Sequence, residues 1–185
     1  MGSGRGFFCT HCNCKITARW GKGFKYPLVY QETIQGMKEG RYGDVAKAFL
    51  DEHPDGAINA EETLARCEDC RKYDNVQDLT MFIPKNGYVH KVDANQTWST
   101  SAHYKGFDYV GSFDLERHYT EFKKYPHKCK YCGGAMIIIP FYSYKINPKG
   151  RGVDEISKQI ASTIKEIDCP ICGEKMIALE FIDWD

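Results

Sequence analysis

Four short thiol pairs constrain this chain more than any other feature. They are Cys9-Thr10-His11-Cys12, Cys67-Glu68-Asp69-Cys70, Cys129-Lys130-Tyr131-Cys132 and Cys169-Pro170-Ile171-Cys172, and they account for eight of the nine cysteines. A tight turn holding two thiolates supplies half of a tetrahedral metal site, and two such turns complete it. A single C-x-x-C is shared with redox motifs. Four in one chain point instead to two four-thiolate metal centres.

Paired in chain order, Cys9, Cys12, Cys67 and Cys70 form one site, and Cys129, Cys132, Cys169 and Cys172 form the other. Zinc is the default ion, because it accepts four thiolates tetrahedrally and does no redox chemistry. Such a set leaves no ligand position for water or substrate, so both sites read as structural. Lys128, Lys130 and Lys175 stand beside the second set in sequence and would offset some of its negative charge. Cys14 is the ninth thiol and reads as a spare on the strand leaving the first pair. His11 reads as a neighbour of that site rather than a ligand.

Cys129-Lys130-Tyr131-Cys132-Gly133 and Cys169-Pro170-Ile171-Cys172-Gly173 resemble the knuckles of zinc ribbons and of rubredoxin. Tyr26-Pro27, the stretch from Tyr30 to Gly43, His53-Pro54-Asp55 and the Cys67/Cys70 pair extend the resemblance to uncharacterised bacterial zinc-ribbon proteins. The resemblance implies metal-binding folds and brings no established activity. Rubredoxin-like iron, carrying electrons, is the alternative that the C-terminal knuckles permit. No glycine follows Cys12 or Cys70, so the first site departs from the pattern.

Between the knuckles, apolar spacing gives a coarse map. Strands are expected on either side of the first knuckle, and helices over residues 29–52, split near Gly40 and Gly43, with Asp44 as a cap. A strand is expected over 76–83, where Leu79, Met81 and Ile83 alternate. Residues 88–112 show no period. A short helix is expected over 113–125, a β run from Met136, a helix over 153–167 and a last strand over 176–184. Phe181 and Trp184, with Trp20 and Tyr142, are expected to cover the ribbon faces. The expected fold class is small α+β: two four-thiolate zinc ribbons with helical insertions. The expected units are residues 1–85 and 127–185, joined by 86–126.

Hydrophobic residues make up 42% of the chain, which favours a folded protein over disorder. Lysine plus arginine equals aspartate plus glutamate at 25 each, so net charge is zero, but its distribution is uneven. Residues 117–131 carry five basic groups and one acid. There Arg117, Lys123, Lys124, Tyr125, Lys128, Lys130 and Tyr131 mix cations with aromatics, the composition of a surface that tracks a nucleic-acid backbone and stacks its bases. The alternating signs elsewhere favour contact with a protein over the broad positive face of a dedicated DNA binder. No apolar run is long enough for a bilayer, and the first residues lack the apolar core of a signal peptide. The expectation is a cytoplasmic metal-binding adaptor with an unidentified protein partner and no membrane contact. The alternatives are a nucleic-acid accessory protein and an iron electron carrier. No histidine pair or nucleophile elbow marks it as an enzyme.

Overall fold

A computed structural model describes residues 2–91, 107–139 and 166–184. It is a small α+β structure with three helices and antiparallel sheets among these residues. The chain opens with β1 (Gly2–Phe8), the first knuckle and β2 (Lys15–Trp20). Two helices follow, α1 (Tyr26–Lys38) and α2 (Asp44–Glu52), then β3 (Ala57–Ile58) and β4 (Glu62–Cys67). After the second knuckle come β5 (Tyr73–Gln77) and β6 (Met81–Pro84), then α3 (Ser112–His118) and β7 (Tyr119–Lys123). The third knuckle leads to β8 (Met136–Ile138), and the fourth lies between β9 (Glu166–Asp168) and β10 (Lys175–Trp184).

Helix α1 begins three residues earlier than apolar spacing suggests, because Pro27 sits in its first turn, where its missing N–H costs nothing. Its buried positions include Tyr26, Tyr30, Thr33 and Met37, a helical stripe disguised by hydroxyl groups. Two of those hydroxyls donate to backbone carbonyls: Tyr26 Oη to Val110 at 3.0 Å, and Thr33 Oγ1 to Val29 at 2.6 Å. Gly43, at φ 82°, takes the cap position of α2 expected for Asp44, which instead places its carboxylate in the first turn. Both helices pack with β3, β6, β7 and Val110 around Met37, Phe49, Ile58, Met81 and Leu115.

The strand expected over 76–83 is two strands in two sheets. Leu79 adopts φ 59°, and this left-handed residue breaks the alternation. β5 joins the sheet β5-β4-β8 while β6 joins β3-β6-β7. The helix expected over 113–125 stops at His118, where the chain turns into β7 to pair with β6. The helix expected over 153–167 falls mostly outside the described residues, and its last turn is β9, with Ile167 buried in the sheet core. Tyr142 also lies outside them.

The four-stranded sheet has the order β2-β1-β10-β9, so the first and last strands lie side by side. Gly2 pairs with Trp184 and Phe8 with Ile177. Between Arg5 and Phe7 the register shifts by one residue on β10. This bulge interrupts the alternation of faces along β10, which if unbroken would put Ile182 on the side of Met176. Ile182 instead stands with Ile177 and Leu179 on the exposed side, 38%, 52% and 44% accessible, while Met176 is fully buried. Gly4 and Gly6 lie beneath the Ile182 and Leu179 side chains, where a Cβ would crowd both. Phe7, Trp20, Leu64, Ile167 and Met176 form the core on the inner side.

Pairing also joins β4 to β8, Cys67 opposite Met136. Strands of residues 1–85 therefore pair with strands of residues 127–185 in two different sheets. Each of these two sheets thus draws one knuckle from either half of the chain. They abut through Gly21 and Glu62, whose backbones pair, and through Asn75, which accepts from the Arg19 amide at 2.8 Å.

Candidate metal centres

All four knuckles use one backbone device. The amide of the first cysteine donates to the carbonyl five residues on: Cys9 to Cys14 at 2.9 Å, Cys67 to Lys72 at 2.9 Å, Cys129 to Gly134 at 2.8 Å and Cys169 to Glu174 at 2.7 Å. The residue after the second cysteine is left-handed in every case: Asn13 at φ 59°, Arg71 at 62°, Gly133 at 76° and Gly173 at 82°. Glycine takes this conformation freely, and asparagine tolerates it through its short polar side chain. The missing glycines of the first two knuckles therefore do not change the turn. In every knuckle the first cysteine is buried and the second lies nearer the surface.

The knuckles assemble outermost with outermost. Cys9, Cys12, Cys169 and Cys172 form one tetrad, and Cys67, Cys70, Cys129 and Cys132 form the other. The sequential pairing expected above is thus overturned, for a physical reason. Pairing β1 with β10 carries the first knuckle to the fourth, and pairing β4 with β8 carries the second to the third. The sulfurs of each tetrad lie within 4.8 Å of one another. Sulfur–sulfur separations are 3.5 Å for Cys9–Cys172, 3.4 Å for Cys12–Cys169, 3.5 Å for Cys67–Cys132 and 3.6 Å for Cys70–Cys129. Four sulfurs at the Zn–S bond length would stand about 3.8 Å apart at tetrahedral vertices. A disulfide would bring two to about 2.05 Å. All nine cysteines are unbridged, so each tetrad has the donor type, number and spacing to hold one metal ion.

The electrostatics of the bare tetrads lead the same way. Backbone amides point at the sulfurs and favour thiolates, while crowded like charges oppose them. At Cys129 the Tyr131 amide, with that of Cys132, overcomes desolvation and brings the thiol down to about 7. At Cys169 desolvation pushes upward, but the Cys172 and Ile171 amides prevail and bring it to about 6. Their partners go the other way. Cys12 receives the Cys14 amide, yet desolvation and the other sulfurs push it up to about 12. Cys132 receives the Gly134 amide, yet Cys67 and Cys70 hold it at about 12. Four thiolates cannot share such a space at neutral pH without a cation to neutralise them.

Lys175 flanks the outer tetrad through Asp168 at 2.6 Å, and Lys130 flanks the inner one through Asp74 at 2.6 Å. Arg71, from the second knuckle, stands against the turn at Gly173 in the fourth, so it lies between the two centres. Spacing along the sequence could not have placed it there.

The basic and aromatic stretch at 117–131 is divided among several surroundings. Tyr125 is half-buried and donates to the Tyr42 carbonyl at 2.9 Å. Lys124 lines a cavity of about 520 Å³ beside Glu61, Glu62, Glu116 and Glu121. Arg117 caps the Phe113 ring on α3. Lys123 ends β7, and Lys128 pairs with Ala135 at the start of the third knuckle. Tyr131 is exposed at the third knuckle's tip, with Lys72 and Lys130 ammonium groups 4.3 and 5.3 Å from its ring centre. His11 belongs to neither tetrad.

No helix among the described residues is long and apolar enough to cross a membrane. No family model, curated protein or solved structure matches this chain.

Proposed function

We propose that the protein is a two-zinc interaction module, in which each ion fastens hairpins from opposite halves of the chain and neither performs chemistry. The observation that carries this reading is the pair of all-thiolate tetrads, since four protein sulfurs complete the coordination of zinc. Zinc is favoured over iron because it is the usual occupant of closed structural thiolate sites. The residues that would bind it are Cys9, Cys12, Cys169 and Cys172 in one centre, and Cys67, Cys70, Cys129 and Cys132 in the other.

The adaptor role draws its support from the surface. Ile177, Leu179 and Ile182 are exposed together on one side of β10, beside the charged Lys15 and Arg19 of β2. An apolar strip rimmed by charge suits a protein partner rather than a nucleic acid.

Elemental analysis of protein purified without added metal tests the first part. It should return two zinc ions per chain and a colourless solution. A red protein that bleaches on reduction would replace zinc with iron. Leu179→Lys tests the second part: it should abolish partner capture from the native host while leaving metal content and thermal unfolding unchanged.

A further inference from the structure

The cavity beside Lys124 is away from both tetrads and has a chemistry of its own. Its volume of about 520 Å³ is that of a small-molecule site. Four glutamates line it: Glu61 and Glu62 at the start of β4, Glu116 on α3 and Glu121 on β7. Leu115, Phe82 and Ile138 supply apolar lining. Asp78 also lines it, but its Oδ1 is occupied by the Thr80 amide at 2.9 Å. Lys124 is the one cation among the lining residues.

Two of these carboxylates are held in from solvent without the donors that burial demands. The Glu61 side chain is 9% exposed, and its buried Oε1 receives no hydrogen bond; the Lys22 ammonium comes no nearer than 3.5 Å. Glu62 Oε1 meets Arg19 at 3.2 Å, but its Oε2 is buried and also receives no hydrogen bond. Buried carboxylate oxygens are costly unless something donates to them. Glu116 faces the same problem, since desolvation and then the Glu61 charge raise its carboxyl above the ordinary value. The missing partner is not a bare metal ion. Among the described residues only the thiol tetrads gather three or more ligating groups within 4.8 Å, so these carboxylates stand too far apart to converge on one ion. An extended cation with several N–H donors and an apolar body meets both kinds of lining.

We propose that this cavity binds an alkylammonium ligand, an ammonium group on an aliphatic chain, with Glu61, Glu62 and Glu116 accepting its N–H donors and Leu115, Phe82 and Ile138 against its methylenes. A free polyamine and the lysine side chain of a peptide carry this same chemistry. The site does not depend on what the tetrads hold.

The test is isothermal titration calorimetry of full-length, metal-loaded protein with spermidine, and separately with a short lysine-containing peptide. At least one probe should bind saturably at one site per chain. Tighter binding of spermidine assigns the site to a polyamine, and tighter binding of the peptide assigns it to a partner's lysine. Glu61→Gln and Glu116→Gln should each weaken the better probe tenfold or more. Glu116 is exposed, so its variant reports even where Glu61→Gln fails to fold. 1,8-Octanediol, with the apolar body and no charge, should not bind. Magnesium chloride should compete no better than sodium chloride of equal ionic strength. Absence of saturable binding by both probes overturns the proposal, as does unchanged affinity in Glu116→Gln, binding of the diol, or specific displacement by magnesium. Metal content, measured on the same samples, reports separately on the two-zinc reading.

Discussion

Replacing Cys67 by serine separates the two ways of pairing the knuckles. Cys67 lies at the end of β4, fully buried, 3.5 Å from the Cys132 sulfur. An ion held by the inner tetrad would tie residues 65 positions apart and so act as a cross-link across a long loop. Treated like a disulfide of that span, it restricts the unfolded chain by about 4 kcal/mol, and ligation itself contributes on the order of 10 kcal/mol. The loop contribution alone, at about 1.4 kcal/mol per tenfold, corresponds to roughly three orders of magnitude in the opening equilibrium of the site. The assay is timed alkylation of native protein, with each cysteine followed by mass spectrometry. In Cys67→Ser, Cys70, Cys129 and Cys132 should lose protection by about a thousandfold, while Cys9, Cys12, Cys169 and Cys172 stay slow. If Cys9 and Cys12 become reactive while Cys129 and Cys132 do not, sequential pairing is correct and the strand topology argued here fails.

Gly173→Ala should destabilise the fourth knuckle by about 1 kcal/mol, since alanine resists a φ of 82°, and a drop of a few degrees in Tm would report it. Trp20→Ala should cost about 3–5 kcal/mol, measured by denaturant unfolding, because the indole is almost wholly buried at the centre of the four-stranded sheet core. Metal-free protein should titrate unevenly. Cys169 and Cys129, lowered to about 6 and 7, contribute stability that is present above the ordinary thiol value and lost as pH falls through 7 to 6. Cys12 and Cys132, raised to about 12, contribute below the ordinary value and lose that contribution as pH climbs toward 12. Thiolate ultraviolet absorbance should therefore rise in widely separated steps without metal, and should already be complete at neutral pH with metal bound.

The eight cysteines of the two tetrads were legible in sequence because C-x-x-C encodes a local turn. Their partnership was not, because it depends on β1 meeting β10 across the whole chain, and no local pattern records that meeting. Element types survived where side chains alternate cleanly, as in Lys15–Trp20. They failed where one residue changes direction: Leu79 divides a continuous apolar alternation between two sheets, and His118 ends a helix so that Tyr119 can enter a strand. The stripe of α1 was shifted because Tyr26, Tyr30 and Thr33 carry hydroxyls yet are buried, each covered by the fold. The glycine rule for knuckles was too strict, since Asn13 and Arg71 adopt the same backbone. The basic and aromatic run at 117–131 looked like one surface only while it was read as a line of letters.

A ribosome makes this molecule from one end only. Cys9 and Cys12 emerge early, yet their companions follow more than 150 positions later. The inner centre can close as soon as Cys132 clears the exit tunnel, with its hairpins and helices already made. β1 must wait, with Phe7 and two thiols uncovered, until β10 arrives. During that interval a newly made chain is open to stray metals, oxidants and neighbouring strands, and every second of delay in translating its last quarter prolongs the exposure.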